Sequence, residues 1–159
     1  MTEEPIRVLF VCTGNSARSL MAEASLRAEG GAAFVASSAG TDPRGINPLT
    51  VIALEGAGLD PAGLRSKAVT EVIGQPFDYV VTVCDRARDT CPVFPGGGER
   101  LHWSFSDPAE ATGTDEERAA VFAQTLEDIR DRVRTFVAEA LGRPSRVRGT
   151  SAARTAMRG

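Results

Sequence analysis

The apolar run Ile6-Arg7-Val8-Leu9-Phe10-Val11 passes directly into the loop Cys12-Thr13-Gly14-Asn15-Ser16-Ala17-Arg18-Ser19. From Ser19 to Ala28 the chain is rich in Ala, Leu, Met and Glu, as a helix requires, and it stops at Gly30-Gly31. A strand, a tight polar loop and a helix in this order constrain the fold more than any other feature. A continuous apolar run suits a buried parallel strand. In the loop that follows, successive backbone N–H groups can turn inward and cradle a tetrahedral oxyanion, with the positive end of the helix behind them. Arg18 can grip two oxygens as a fork. A positive setting also favours the thiolate, the nucleophilic form of a cysteine. A lone cysteine at a strand end is more often a small buried hydrophobe. The flanking elements, with Gly14, Asn15 and Ser16 inside the loop, favour the oxyanion reading.

Two further cysteines, Cys84 and Cys91, follow a second apolar run. A nucleophile in an oxyanion cradle with two more thiols reads as an oxyanion reductase rather than a plain hydrolase. The 159 residues suit one domain, expected over 1–142. From Arg143 onward five arginines and no acidic residue, mixed with Ser, Gly and Ala, predict a disordered basic tail over 143–159. A net charge of -3 gives no reason to expect a nucleic-acid partner. No apolar run approaches the ~20 residues of a membrane span. The opening Met1-Thr2-Glu3-Glu4-Pro5 lacks the basic-then-apolar layout of a signal peptide. The expectation is a cytoplasmic monomer without a resident cofactor, in which cysteines serve catalysis or metal binding rather than stapling.

Ala33 to Ser37 predicts a second strand, and Gly40 to Asn47 a loop. Asn47-Pro48 marks a helix start, with Asn as cap and Pro in the first turn, running to about Gly56. A short helix is expected around Lys67 to Ile73, a strand over Phe77 to Cys84 and another over Arg100 to Trp103. Thr114 and Glu117 form a capping box. Beyond it Ala119, Phe122, Leu126, Ile129, Val133, Phe136 and Ala140 recur in steps of three and four, a stripe for a helix laid on a sheet. This alternation predicts an α/β fold, an open parallel sheet with helices on both faces. Ligands in such sheets bind beyond the carboxyl ends of the strands, so Cys12 and Cys84 should meet at one edge.

Val11 to Ser19 with Met21-Ala22-Glu23 and Ser38-Ala39-Gly40 resembles arsenate reductases built on the low-molecular-weight tyrosine phosphatase fold. Val81-Thr82-Val83-Cys84-Asp85, Cys91-Pro92, Pro95, His102-Trp103 and Asp107-Pro108 fit the thioredoxin-coupled branch. The likeness spans roughly Arg7 to Ala140; the loop alone would fit the phosphatases equally well. It implies a four-stranded parallel sheet, arsenate as substrate and thioredoxin as reductant. Leu20 stands where many members carry Gln, and Ala17 where several carry an additional Cys outside the relay. Some relatives bind a stabilising potassium ion near the loop. Asn15, Glu23 and Ser38 match its ligands, whereas Ala68 replaces its aspartate, which argues against that ion here.

On this resemblance Cys12 attacks arsenic while Arg18 and the loop N–H groups of Thr13 to Ser19 hold the oxygens. Ser19 can donate a hydrogen bond to Cys12, and Asn15 shapes the loop because Asn tolerates left-handed backbone. Asp107 is the candidate general acid for the leaving oxygen, although an Asp-Pro pair is more often only a turn. Cys84 then attacks Cys12 and releases arsenite, and Cys91 attacks Cys84 to leave a disulfide for an external dithiol. Were 84–91 helical, its ends would lie ~10 Å apart, beyond the ~4.4–6.8 Å of a disulfide. The segment must therefore unwind, which Pro92, Pro95 and Gly96-Gly97-Gly98 permit, although such a run is more often an ordinary surface loop. His102 and Trp103 read as structural, and with a single histidine a zinc cluster is not expected. Two alternatives stand beside the reductase: a protein tyrosine phosphatase, and a non-enzymatic sensor switching through Cys84 and Cys91. Against the first, Ala109-Glu110-Ala111 follow Asp107-Pro108, where phosphatases of this fold carry cleft tyrosines.

Overall fold

A computed structural model describes residues 4–95 and 98–142. The predicted tail and the glycines at 96 and 97 lie outside these residues. Among them, the elements in chain order are β1 (Ile6–Cys12), α1 (Arg18–Gly30), β2 (Phe34–Gly40), α2 (Pro48–Gly56), β3 (Tyr79–Thr82), α3 (Asp85–Thr90), β4 (Glu99–His102) and α4 (Asp115–Gly142). The strands form one parallel sheet in the order β2-β1-β3-β4. β1 lies at its centre, and Val8, Leu9, Phe10 and Val11 are each fully buried. Successive side chains of a strand face opposite ways, so burial of all four means that both faces of the sheet are covered. The α/β expectation holds.

The helix starts follow their local chemistry. Asn47 accepts from the Leu49 N–H at 2.9 Å, capping α2 above Pro48. At α4, Thr114 Oγ1 accepts from the Glu117 N–H at 3.1 Å while Glu117 Oε1 accepts from the Thr114 N–H at 2.9 Å. That is the predicted capping box. The α4 stripe buries Phe122, Leu126, Ile129, Val133, Phe136 and Ala140, with Ala119 only partly covered. Phe136 meets Phe34, Tyr79 and Trp103 with ring centroids 5.0 to 6.0 Å apart, and this aromatic cluster docks the helix on the sheet.

Beyond shifts of one or two residues, as at the ends of α1 and β4, three boundaries differ from expectation. β2 continues through Gly40 because it pairs with β1 in register from Ile6↔Phe34 to Cys12↔Gly40, overriding the weak strand preference of Ser37-Ser38-Ala39-Gly40. The β3 ladder, Tyr79–Thr82 against Val8 to Val11, is shorter than Phe77–Cys84, although the Asp78 and Val83 N–H groups flanking it still bond to the Arg7 and Val11 carbonyls. The expected helix at Lys67 to Ile73 is a single 3-10 turn, Val69–Glu71. Lys67 cannot enter a helix because its N–H goes to Asn15 Oδ1 and its carbonyl accepts from Gly40 N, which draws the chain into a bridge with β2.

Candidate active site

The loop between β1 and α1 is held from outside by the segment after β2. The N–H groups of Thr41, Asp42, Arg44 and Asn47 donate to the carbonyls of Cys12, Thr13, Gly14 and Ser16 at 2.8 to 3.1 Å, and Thr50 Oγ1 adds a second bond to Ser16. With those carbonyls spent on this outer belt, the opposite edge of the loop is free to present N–H groups inward, and the Asn15 N–H donates to Cys12 Sγ at 3.2 Å. The belt can approach because Gly40 has no side chain: a Cβ there would lie 2.5 Å from the Thr13 carbonyl oxygen. Asn15 takes the left-handed backbone expected of it, with φ 45°. Thr13, Gly14, Ser16, Ala17 and Arg18 line a cleft of about 540 Å³ with Cys12 at its base.

Cys12 lies within hydrogen-bond distance of Ser19 Oγ at 2.8 Å. Asn15 Nδ2 donates to Ser19 Oγ at 2.7 Å and to Ser38 Oγ at 3.0 Å, and Ser38 Oγ donates to Glu23 Oε1 at 2.6 Å. Glu23 is buried and ion-paired with Arg27. Burial pushes its carboxyl up from the ordinary range, against the pull of Ser38 and Arg27. Burial likewise pushes Lys67 down, opposed by the charge of Glu23. These residues do not fit a potassium ion. The Glu23 carboxylate already meets a fixed cation in Arg27, the amide of Asn15 is committed to Ser19, Ser38 and Lys67, and Ala68 offers no side-chain oxygen. Among the described residues no group of His, Cys, Asp and Glu side chains is placed to hold a metal.

Arg18 opens α1 and points across the cleft. Its Nη1 donates to the Phe105 carbonyl at 2.9 Å, and its Nη2 lies 3.7 Å from Asp107 Oδ2. Asp107 also caps the turn after it, accepting from the Ala109 N–H at 3.0 Å, so it is both the turn residue and a cleft residue. Cys84 enters from the end of β3, and its Sγ lies 3.5 Å from Thr13 Oγ1. The topology therefore brings Cys12, Arg18, Cys84 and Asp107 to one cleft. Cys91 is buried past the far end of α3 and is not among the lining residues. Burial raises its thiol above the usual value, with Arg100 pulling the other way. All three cysteines are free thiols.

Arg44, Asp85, Arg86, Phe105 and Glu110 also line the cleft and were not anticipated. Arg44 arrives through the belt, whose sequence signals only a loop. Asp85 accepts from His102 Nε2 at 2.8 Å and from Ser104 Oγ at 3.2 Å, and the His102 bond foremost holds its carboxyl below the usual range. His102 is fixed at its other nitrogen by Thr82 Oγ1 at 2.7 Å, and Trp103 packs against Phe10, so both serve the structural role expected of them.

A cysteine and an arginine bracketing a loop whose carbonyls face away from the cleft is an anion-binding arrangement, and comparison with known proteins places it. Residues 7–146 match the family described as low molecular weight phosphotyrosine protein phosphatase. The chain belongs to that family. An arsenate reductase of Halalkalibacterium halodurans is 43% identical over 129 residues, covering 81% of this chain and 93% of the relative. Among solved structures, an arsenate reductase from Archaeoglobus fulgidus superposes with a TM-score of 0.67 at 34% identity, over 82% of this chain and 98% of that one. A thioredoxin-dependent arsenate reductase of Corynebacterium glutamicum gives a TM-score of 0.65 at 30% identity, over 85% of this chain and 62% of that one. The resemblance read from the three cysteines and the loop thus agrees with the relatives.

Proposed function

We propose that this protein reduces arsenate to arsenite through a three-cysteine relay regenerated by thioredoxin. The observation that carries the reading is the position of Cys84, whose sulfur stands beside Thr13 in the same cleft as Cys12. Hydrolysis needs no second thiol there, whereas reduction does. Arsenate shares the shape and charge of phosphate, so the loop N–H groups and the Arg18 fork accept it. Cys12 attacks arsenic, and Asp107 protonates the oxygen that leaves. Cys84 attacks the Cys12 sulfur, the As–S electron pair departs with arsenic as arsenite, and a Cys12–Cys84 disulfide remains. Cys91 then attacks Cys84, frees Cys12 as a thiolate and leaves Cys84–Cys91 for the external dithiol. Thioredoxin as that dithiol is supported by the Corynebacterium glutamicum relative, and a cytoplasmic, monomeric enzyme fits this chemistry.

The family's phosphatase activity is the competing reading, favoured by the shared loop and acid. The cleft speaks for a small inorganic oxyanion: Phe105 is the one aromatic side chain among the described lining residues, the rest being largely charged or small. The deciding assay is arsenite production from arsenate with thioredoxin, thioredoxin reductase and NADPH. NADPH oxidation that depends on arsenate and on all three proteins supports the relay. Hydrolysis of an aryl phosphate with no arsenate-dependent NADPH oxidation would make the protein a phosphatase.

A further inference from the structure

The relay requires the short helix between its last two cysteines to open, and the structure holds that helix shut from outside. α3 puts six residues between Cys84 and Cys91, so seven helical steps at ~1.5 Å each hold their Cα atoms about 10 Å apart, against the ~4.4–6.8 Å a disulfide allows. So short a helix is marginal alone, and within α3 only Ala87 is buried. Its two ends are instead gripped by side chains two residues apart on β4, hence on one face of that strand. At the first end His102 Nε2 donates to Asp85 Oδ1 at 2.8 Å, with Thr82 Oγ1 on its other nitrogen. At the second end Arg100 spreads over two successive carbonyls, Nη2 to Cys91 at 2.8 Å and Nη1 to Pro92 at 3.2 Å.

We propose that Arg100 is a latch, a positioning residue that holds Cys91 in the dithiol state and must release it before Cys91 can reach Cys84; this rests on the relay described above. The two grips differ in kind. His102 fixes Asp85 beside Cys84, whose neighbour Val83 is bonded to the Val11 carbonyl at 2.9 Å, so this end stays with the sheet. Arg100 holds the end that has to travel. Its bonds are made to the main chain of Cys91 and Pro92 and cannot survive when the Cys91 Cα moves several ångströms toward Cys84. Each therefore weights the balance toward the dithiol. The exchange consumes no outside electrons: Cys91 loses a proton, the Cys84–Cys91 bond forms and the Cys12–Cys84 bond breaks to give the Cys12 thiolate.

The test isolates the latch from arsenate by measuring the Cys84/Cys91 pair in a Cys12→Ser background. The protein is equilibrated at pH 7 in graded mixtures of oxidised and reduced dithiothreitol, and the disulfide fraction is read by thiol trapping and mass spectrometry. Arg100→Ala should raise the disulfide formation constant about 10-fold, equivalent to about 30 mV toward negative potential. Arg100→Lys keeps the charge but not the fork and should fall between the two. If Arg100 merely stabilised the fold, Arg100→Ala would lower the unfolding temperature of the dithiol and disulfide forms alike and leave this constant alone. A constant within twofold of the parent in Arg100→Ala, or one shifted toward the dithiol, would overturn the latch while leaving the relay standing. If the parent forms no Cys84–Cys91 disulfide even in the most oxidising mixture, the relay falls and the latch with it.

Discussion

The Ser19 hydroxyl oxygen lies 2.8 Å from the Cys12 sulfur, and the bonds around it leave its proton available to that sulfur. Asn15 Nδ2 donates to Ser19 and to Ser38, and Ser38 spends its own proton on Glu23. The Ser19 oxygen is thus already an acceptor, and its proton is left for Cys12. A hydrogen bond to a charged group contributes ~1.5–3 kcal/mol. Ser19→Ala should therefore slow arsenate turnover about 10-fold to 100-fold and slow alkylation of Cys12 by iodoacetamide at pH 6 in the same direction. Stopped-flow alkylation in a Cys84→Ser, Cys91→Ser background measures this without interference from the other thiols. Alkylation at the parent rate would reduce Ser19 to a helix-opening residue.

Asp107 accepts from the Ala109 N–H through Oδ1 and faces Arg18 through Oδ2. Asn keeps an acceptor for the turn and loses the proton that the leaving oxygen requires. Asp107→Asn should fold as the parent does, yet slow the first chemical step at pH 7 by ~100-fold or more, the usual scale for a lost general acid. Single-turnover rapid quench is the measurement; an unchanged rate would leave Asp107 as a turn residue alone.

How much of this was legible in the sequence depended on the range of the forces involved. The loop from Cys12 to Ser19, the Asn47 cap and the Thr114–Glu117 box are local, since the residues that cause each feature sit within a few positions of one another. The belt over Thr41 to Asn47, the extended Ser38-Ala39-Gly40 and the 3-10 turn in place of a helix after Lys67 are not. Each is decided by partners on another element, such as the Asn15 amide taking the Lys67 N–H. The same holds for the cation beside Glu23. Arg27 lies one helical turn further along α1, a spacing any helix could show, and only the burial of Glu23 makes that pair consequential.

Glu23 gives a prediction about stability. Its folded carboxyl is raised by burial, so the charged form is disfavoured in the fold relative to the unfolded chain. For a raised group the favourable contribution is complete below the unfolded value and is lost as pH rises through the folded one. Glu23→Gln stays neutral throughout and keeps an oxygen for Ser38. The variant should match the parent in acid and gain on it as pH rises toward 7. Unfolding temperatures of both proteins from pH 4 to 8 give this difference directly. A gap that closes with rising pH would mean that the Arg27 pair outweighs the cost of burial.

The relay divides the cysteines by the product each variant can make. Cys91→Ser should release about one arsenite per enzyme and stop as Cys12–Cys84, because no further thiol frees Cys12. Cys84→Ser should fail to release arsenite and yet retain any aryl phosphatase activity, since only water is needed there. Cys12→Ser should lose both. Arsenite counted in a thioredoxin-free burst, with the disulfides mapped by mass spectrometry, separates these outcomes. Sustained turnover by Cys91→Ser with thioredoxin would replace the relay by direct reduction of Cys12–Cys84.

The last exchange should carry a pH dependence set by where Cys91 sits before it moves. Its thiol is raised by burial, and Arg100 offsets that only in part. Opening α3 exposes Cys91 and restores an ordinary thiol, but the open form is the minor one. The free energy of the attacking thiolate is counted from the buried ground state, so the rate profile reports the raised value rather than the ordinary one. Well below that value the thiolate fraction grows about 10-fold per pH unit. Conversion of Cys12–Cys84 into Cys84–Cys91, followed by rapid quench from pH 6 to 9, should therefore climb throughout the range without levelling. A plateau below pH 8 would show that Cys91 attacks from an already open segment, and that α3 as seen here is not the state from which the exchange begins.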